Sequence, residues 1–240
     1  MPVLGLLMLQ TRFPRLPGDV GHVGSFAFPV RRRIVQGATP ERVVRGREST
    51  ALQPFVDAAL ALVDEGCSAI ATSCGFMALW QQELQAALPV PVWTSSLLQL
   101  ADRKGGRFGV ITIEASSLTA EHFVAVGADP STPIEGITPG CALHRTLLLD
   151  LPDLDPLDAQ SQVLAAADRL LERHPDVDTL LLECTNLPPY ADALRQHTAL
   201  EVLDVLTLIN ERMSRLRGPR SAAPDTETPA TRIQARRTRP

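Results

Sequence analysis

Short runs of Val, Ile and Leu alternate along the chain with longer segments of helical periodicity, and these patterns predict strands and helices respectively. The predicted strands are Val3–Leu9, Ala69–Thr72, Val90–Trp93, Arg107–Ile113, Thr179–Glu183 and Val202–Leu203. The predicted helices are Pro54–Glu65, Phe76–Leu88, Ser96–Lys104, Thr119–Val126, Pro156–Arg173, Tyr190–His197 and Thr207–Leu216. Because such alternation requires crossover connections, the sequence predicts an α/β fold with mostly parallel strands and helices on both faces.

Two segments lack this pattern. Thr11–Arg33 directly follows the first strand and is interrupted by proline and glycine, so we expect an irregular loop, and long loops inside compact domains are often functional. Gly218–Pro240 contains repeated prolines and arginines and almost no large apolar residue. It cannot bury enough surface to offset its ordering entropy, so we expect a disordered tail, with a basic arm that contacts a partner as the alternative.

Composition mainly excludes classes of protein. The chain has 240 residues, of which 45% are hydrophobic and 21% charged, as in soluble globular proteins. A formal charge of −4 and 4% aromatic residues argue against nucleic-acid binding. No apolar run approaches the roughly 18 residues of a membrane span, and the first strand lacks the flanks of a signal peptide. Four cysteines do not suggest a secreted disulfide scaffold, so we expect a cytoplasmic protein with reduced thiols.

Two segments share one design, in which a cysteine lies between a buried strand and a helix. Ala69–Thr72 leads into Ser73 and Cys74, and Thr179–Glu183 leads into Cys184. The start of a helix presents unpaired N–H groups and a partial positive charge, so we expect a lowered thiol pKa and a place for a carboxylate. Because two cysteines share this position, we interpret them as functional rather than as small buried hydrophobes.

Other candidates are weaker. Cys67 and Cys141 do not share this position and are interpreted as packing residues. Arg12 follows the first strand and either pairs with a substrate carboxylate or faces water. Thr112, Ser116 and Ser117 are either anion-binding hydroxyls or cap and turn residues. Asp19 either enters a cleft or is solvated. The five histidines show no metal-ligand spacing and no nucleotide-binding motif occurs, so neither kind of site is predicted.

At these residues the chain resembles the aspartate/glutamate racemase superfamily, which includes hydantoin racemases, maleate isomerases and arylmalonate decarboxylases. The resemblance covers about residues 3–217 and is carried by Thr72–Gly75, Ile111–Thr119 and Glu183–Asn186. Gly75 and Phe76 stand where the amino-acid racemases commonly have Asn and Thr. The Asp-Ser-Gly of glutamate racemases is also missing after the first strand, which makes glutamate a weaker candidate.

The resemblance implies two pseudosymmetric α/β lobes, with the active site in the cleft between them and no cofactor. Residues 1–100 with 205–217 would form one lobe, and residues 101–204 the other. One cysteine would take a proton from the substrate α-carbon and the other would return one to the opposite face. Cys74 and Cys184 are then catalytic. The implied substrate-binding residues are Arg12, Ser73, Gly75, Phe76, Thr112, Ser116, Thr185 and Asn186.

The predicted function is therefore a cofactor-independent racemase or epimerase of a small carboxylate-bearing substrate, with an amino acid as the first choice. The alternatives are a maleate-type isomerase, a hydantoin racemase, an arylmalonate-type decarboxylase and a non-catalytic module that binds a small acid. The last arises because the ring of Phe76 could crowd Cys74. We expect a small-molecule carboxylate as partner and neither nucleic acid nor membrane, and a homodimer is left open.

Overall fold

The computed structural model describes residues 1–45, 52–103 and 105–217, so the predicted tail Gly218–Pro240 lies outside the described residues. The strands are β1 (Leu4–Leu9), β2 (Val30–Val35), β3 (Ala69–Thr72), β4 (Val92–Trp93), β5 (Phe108–Thr112), β6 (Ile134–Gly136), β7 (Thr179–Leu182) and β8 (Glu201–Leu203). The α-helices are α1 (Leu52–Asp64), α2 (Gln81–Ala87), α3 (Leu98–Asp102), α4 (Ala120–Ala125), α5 (Ala142–Leu148), α6 (Pro156–Arg173), α7 (Ala191–Thr198) and α8 (Val205–Leu216).

The strands form two four-stranded sheets with the same connectivity. Their orders are β2-β1-β3-β4 and β6-β5-β7-β8, and every strand pair is parallel. The central strands β1, β3 and β7 are buried along their whole length, which explains their nearly continuous apolar sequence. The predicted α/β fold with two lobes of parallel sheet flanked by helices is confirmed.

Three elements were not predicted, and each has a weak signal in the sequence. β2 lies partly within the segment predicted to be an irregular loop, and its run of arginines does not look like a strand. It is an edge strand paired only with β1 within the described sheet, so its side chains need no apolar pattern. β6 has three residues and α5 seven, which is too short for a clear periodicity.

The ends of the strands bring the two lobes together at the cysteine loops. The hydroxyl of Thr185, after β7, donates to the backbone carbonyl of Ser73, after β3, at 2.7 Å. The hydroxyl of Ser96 donates to the carbonyl of Leu182 at 2.7 Å. All four residues are buried, so these bonds join the lobes where water cannot compete. Within the described residues, no helix is long and apolar enough to span a membrane.

Candidate active site

One cavity between the lobes contains both cysteines that the sequence singled out. Cys74 and Cys184 are 7% and 6% exposed and both contribute to its wall. Most of the remaining wall is apolar, and no described residue that lines it has a charged side chain. The other lining residues are Leu9, Phe13, Pro40, Val44, Ser73, Gly75, Phe76, Ile113, Leu147, Leu148, Thr185 and Asn186.

Cys74 is the N-cap residue of a 3₁₀-helix, Gly75–Trp80, which leads directly into α2. These two elements together correspond to the helix predicted for Phe76–Leu88. Burial raises the pKa of the Cys74 thiol to about 12, and the nearby charge of Glu183 adds to this. The backbone N–H groups of Phe76 and Met77 near the sulfur oppose the shift, as does the charge of Arg15. Cys74 therefore has donors that stabilise a thiolate but lies in a dry environment.

Cys184 occupies the equivalent position after β7, with different neighbours. Its thiol donates to the side-chain Oδ1 of Asn186 at 3.7 Å. Burial raises its pKa well above the ordinary value, and Glu183, Cys74 and Asp19 raise it further, while the backbone N–H of Asn186 lowers it. This environment favours the protonated thiol.

The expectation that the helix starts would lower the thiol pKa values is therefore wrong. The helical segments that follow the cysteines begin as 3₁₀-helices, and the one after Cys184 begins only at Pro188, so few N–H groups reach either sulfur. Loss of hydration outweighs these donors at both sulfurs.

Glu183 is a carboxyl group that the sequence analysis did not single out. It is fully buried directly before Cys184, and its Oε2 accepts a hydrogen bond from the hydroxyl of Thr112 at 2.6 Å. Its Oε1 has no hydrogen-bond partner. Burial raises the pKa of Glu183 to about 7, although the bond from Thr112 opposes this shift. The signal in the sequence was a charged residue at the end of an otherwise apolar strand.

Asp19, whose position the sequence left open, lies on the long loop after β1 and contacts Asn186 of the cavity wall. It is 2% exposed, and its Oδ2 accepts from the side-chain amide of Asn186 at 2.6 Å. Its Oδ1 accepts from the backbone N–H of Gly21 at 2.7 Å and from Arg15 at 3.1 Å. Because Asp19 fixes the amide nitrogen of Asn186, the amide oxygen is the atom turned toward Cys184.

The structure gathers only some of the predicted site residues. Both cysteines, Ser73, Gly75, Phe76, Thr185 and Asn186 line the cavity. Arg12 does not: its side chain is 74% exposed and forms an ion pair with Asp150. Thr112 does not line the cavity and donates to Glu183 instead, and Ser116 donates to Glu114 at 2.7 Å. Sequence reasoning also missed the apolar wall, because its residues come from five separate segments. No group of three metal-binding side chains occurs among the described residues.

Comparison with solved structures identifies the fold. An arylmalonate decarboxylase variant matches with a TM-score of 0.64 and 16% identity over 93% of this chain and 97% of that chain. Allantoin racemase from Klebsiella pneumoniae matches with a TM-score of 0.63 and 14% identity over 98% and 96%. Glutamate racemase from Bacillus anthracis matches at 0.55 and 16% over 90% and 83%. The chain thus has the fold of the aspartate/glutamate/hydantoin racemase superfamily. No family model matches the sequence.

Comparison with characterised sequences finds relatives that are named for a different activity. A dimethylsulfoniopropionate lyase from Durusdinium sp. clade D is 29% identical over 228 residues, which is 85% of this chain and 71% of that protein. Dimethylsulfoniopropionate lyase 3 from Emiliania huxleyi is 30% identical over 236 residues, 90% of this chain and 60% of that protein. Dimethylsulfoniopropionate lyase 5 from the same alga is 29% identical, and this chain spans only 44% of its length.

These relatives overturn the predicted function and enzyme class. The sequence analysis predicted an isomerase of the amino-acid racemase type, whereas the relatives in sequence are lyases. The racemase prediction was wrong because one fold is shared by enzymes with different reactions.

Proposed function

We propose that this chain is a lyase that cleaves dimethylsulfoniopropionate by β-elimination, with Cys74 as the base. The observation that carries the proposal is the match to dimethylsulfoniopropionate lyases over 85–90% of the chain. The cavity supports it, since it offers a buried thiol for proton abstraction and a wall without charged side chains.

The wall suits the cationic end of this substrate. A dimethylsulfonium group has a positive charge covered by two methyl groups, so it needs apolar contacts and gains from an aromatic ring nearby. Phe13 and Phe76 supply rings, and Val44, Leu147 and Leu148 supply aliphatic surface. The ammonium and second carboxylate of an acidic amino acid would instead be buried there without a charged partner, which is costly.

The carboxylate end of the substrate requires hydrogen-bond donors, and Ser73 provides one. The Oγ of Ser73 accepts from the backbone N–H of Leu9 at 2.9 Å, which leaves its own hydroxyl hydrogen to donate. The hydroxyl hydrogen of Thr185 is already used on the carbonyl of Ser73. The N–H group of Gly75, the first of the 3₁₀-helix Gly75–Trp80, has no acceptor within that helix and completes the proposed carboxylate site.

The proposed reaction is one proton abstraction coupled to one bond cleavage. The Cys74 thiolate takes a proton from the carbon next to the carboxylate, and the C–H electron pair becomes the new carbon–carbon double bond. The bond from the β-carbon to sulfur breaks, and its electron pair leaves with neutral dimethyl sulfide. Acrylate remains, and Cys74 is now a thiol. This step needs no cofactor, and it uses reduced cysteines of the kind that a cytoplasmic protein retains.

Cys74 is the better candidate for the base because of what surrounds each sulfur. The backbone N–H groups of Phe76 and Met77 and the charge of Arg15 lower the pKa of Cys74, whereas Cys184 itself donates to Asn186. Glu183 raises the pKa of both thiols, but Asp19 adds negative charge near Cys184 alone. An elimination needs only one base, in contrast to racemisation, so a site with one ionisable and one protonated thiol is sufficient.

The test is direct product analysis. Purified protein is mixed with dimethylsulfoniopropionate, acrylate is followed by proton NMR, and dimethyl sulfide is followed in the headspace. We expect both products in equal amounts, loss of both in Cys74→Ser, and normal turnover in the matched control Cys67→Ser, which changes a buried cysteine outside the cavity. Folded parent protein that forms neither product would refute the proposed function.

A further inference from the structure

The buried carboxyl group of Glu183 has no role in the proposed reaction, yet the fold makes room for it beside both cysteines. It is fully buried, and among the described residues its carboxyl group has a hydrogen bond only with Thr112. One of its oxygens, Oε1, is without a partner. An unpaired buried carboxyl oxygen is costly, so a group kept in this state requires a functional explanation.

Gly75, the residue after Cys74, leaves the space that this carboxyl group occupies. A Cβ atom at position 75 would overlap both the side-chain Oε1 and the backbone carbonyl of Glu183. Position 75 is also where the sequence departs from the Asn expected by resemblance. Gly75 thus lets the Glu183 carboxyl pack directly against the Cys74 loop, while Glu183 itself immediately precedes Cys184.

Few other charges face this carboxyl. From β5 it meets the uncharged hydroxyl of Thr112, from the loop after β3 it faces Cys74, and in its own loop it adjoins Cys184. Asp19 and Arg15 act on the cysteines from the long loop after β1, in opposite directions. A negative charge on Glu183 therefore acts mainly on the two sulfurs.

We propose that Glu183 is a positioning residue that sets the ionisation of the two cysteines, so that the three buried groups together hold one negative charge. When Glu183 is ionised, both cysteines remain thiols. When it is protonated, Cys74 can ionise, because two backbone N–H groups and the charge of Arg15 act on its sulfur. The inference rests on the proposed function only for the choice of Cys74 as the base.

The experiment measures thiol ionisation rather than turnover. Parent protein and Glu183→Gln are alkylated with iodoacetamide over a range of pH, and mass spectrometry of peptides gives separate rates for Cys74 and Cys184. We expect the midpoint of the Cys74 profile to move about one to two pH units lower in Glu183→Gln, because a neighbouring negative charge is removed without loss of volume. The matched control is Glu135→Gln, a 9% exposed carboxylate of the same lobe that pairs with Arg169.

Three outcomes overturn the inference: an unchanged Cys74 midpoint in folded Glu183→Gln, a shift to higher pH, or an equal shift in Glu135→Gln. If Glu183→Gln does not fold, infrared difference spectra of the parent decide instead. A protonated carboxyl band that disappears near neutral pH supports the inference, and its absence refutes it. Because neither readout involves substrate, a chain without lyase activity can still pass this test, and an active lyase can still fail it.

Discussion

The two cysteine junctions share a backbone plan but place different groups against the sulfur. After β3, Cys74 follows the neutral Ser73, and two backbone N–H groups and the charge of Arg15 lower its pKa. After β7, Cys184 follows Glu183 and donates to Asn186, whose amide is held by Asp19. The first junction therefore stabilises a thiolate better than the second does. Two copies of one supersecondary unit have diverged in a few polar neighbours, and that suffices to separate the chemical roles of identical side chains.

The largest expected effect comes from replacing each cysteine with serine. Cys74→Ser is expected to lower kcat/KM by about 10³-fold or more, since proton transfer by a positioned side chain contributes about 10²–10⁴-fold and serine is a far weaker acid. Cys184→Ser is expected to cost about tenfold or less, because a hydroxyl can make the same bond to Asn186. Kinetics with dimethylsulfoniopropionate measure both. Equal losses in the two variants would contradict the division of roles.

The second-largest expected effect is on stability. It comes from Glu183, the buried carboxyl group at the junction after β7. The pKa of Glu183 is raised from its ordinary value near 4.5 to about 7, so the folded state binds its proton more tightly than the unfolded state does. This contribution to the free energy of unfolding is present below pH 4.5 and is lost as pH rises to about 7. A shift of this size corresponds to about 3 kcal/mol.

Glu183→Gln cannot ionise and should therefore gain stability relative to the parent as pH rises from 4.5 to 7, with the difference constant above that range. Urea unfolding at several pH values measures it. Glu135→Gln serves as the contrast, because it loses ion pairs to Arg169 and Arg173 and should be less stable than the parent at neutral pH. A stability difference between Glu183→Gln and the parent that does not change with pH would contradict the prediction.

A smaller effect is expected from Asp19→Asn, which removes a negative charge that acts on Cys184 and not on Cys74. Asp19 raises the pKa of Cys184, so removing its charge should increase the alkylation rate of Cys184 about three- to tenfold at pH 8. Peptide mass spectrometry measures the rate. Asp150→Asn is the matched control, since Asp150 pairs with an arginine of the same loop but is not among the charges that act on Cys184. A similar increase in both variants would show that the loop, rather than the charge, controls Cys184.

The sequence correctly predicted elements with a clear hydrophobic periodicity and the local pattern that occurs twice. α6 was predicted as Pro156–Arg173, the bounds that the structure shows, because it has a proline start and a full amphipathic pattern. The two strand–cysteine junctions were found for the same reason, since their local pattern occurs twice. β2 was missed because an edge strand with three arginines needs no apolar alternation.

The chemistry of the site was harder to predict because it depends on contacts between distant segments. Asp19 meets Asn186 across 167 positions of sequence, and Gly75 makes room for Glu183 across the lobe boundary. The thiol pKa values were predicted in the wrong direction, because local helix geometry was visible in the sequence and complete burial was not. The reaction was predicted wrongly because a cysteine pair does not specify which bond breaks after the proton leaves.

The smallest expected effect tests whether the polar contacts of the substrate come from the cysteine junctions or from the loop after β1. Arg12 is 74% exposed and engaged with Asp150, and exposed ion pairs contribute about 0–1 kcal/mol. Arg12→Gln should therefore leave KM within about twofold of the parent value and barely change the melting temperature. Ser73→Ala is the comparison: it removes a buried donor from the proposed carboxylate site and should raise KM about tenfold, as expected for a hydrogen bond to a charged group. If Arg12→Gln instead raised KM as much as Ser73→Ala does, the arginine would have to leave Asp150 and enter the cavity when substrate binds, and the first junction would no longer suffice as the carboxylate site.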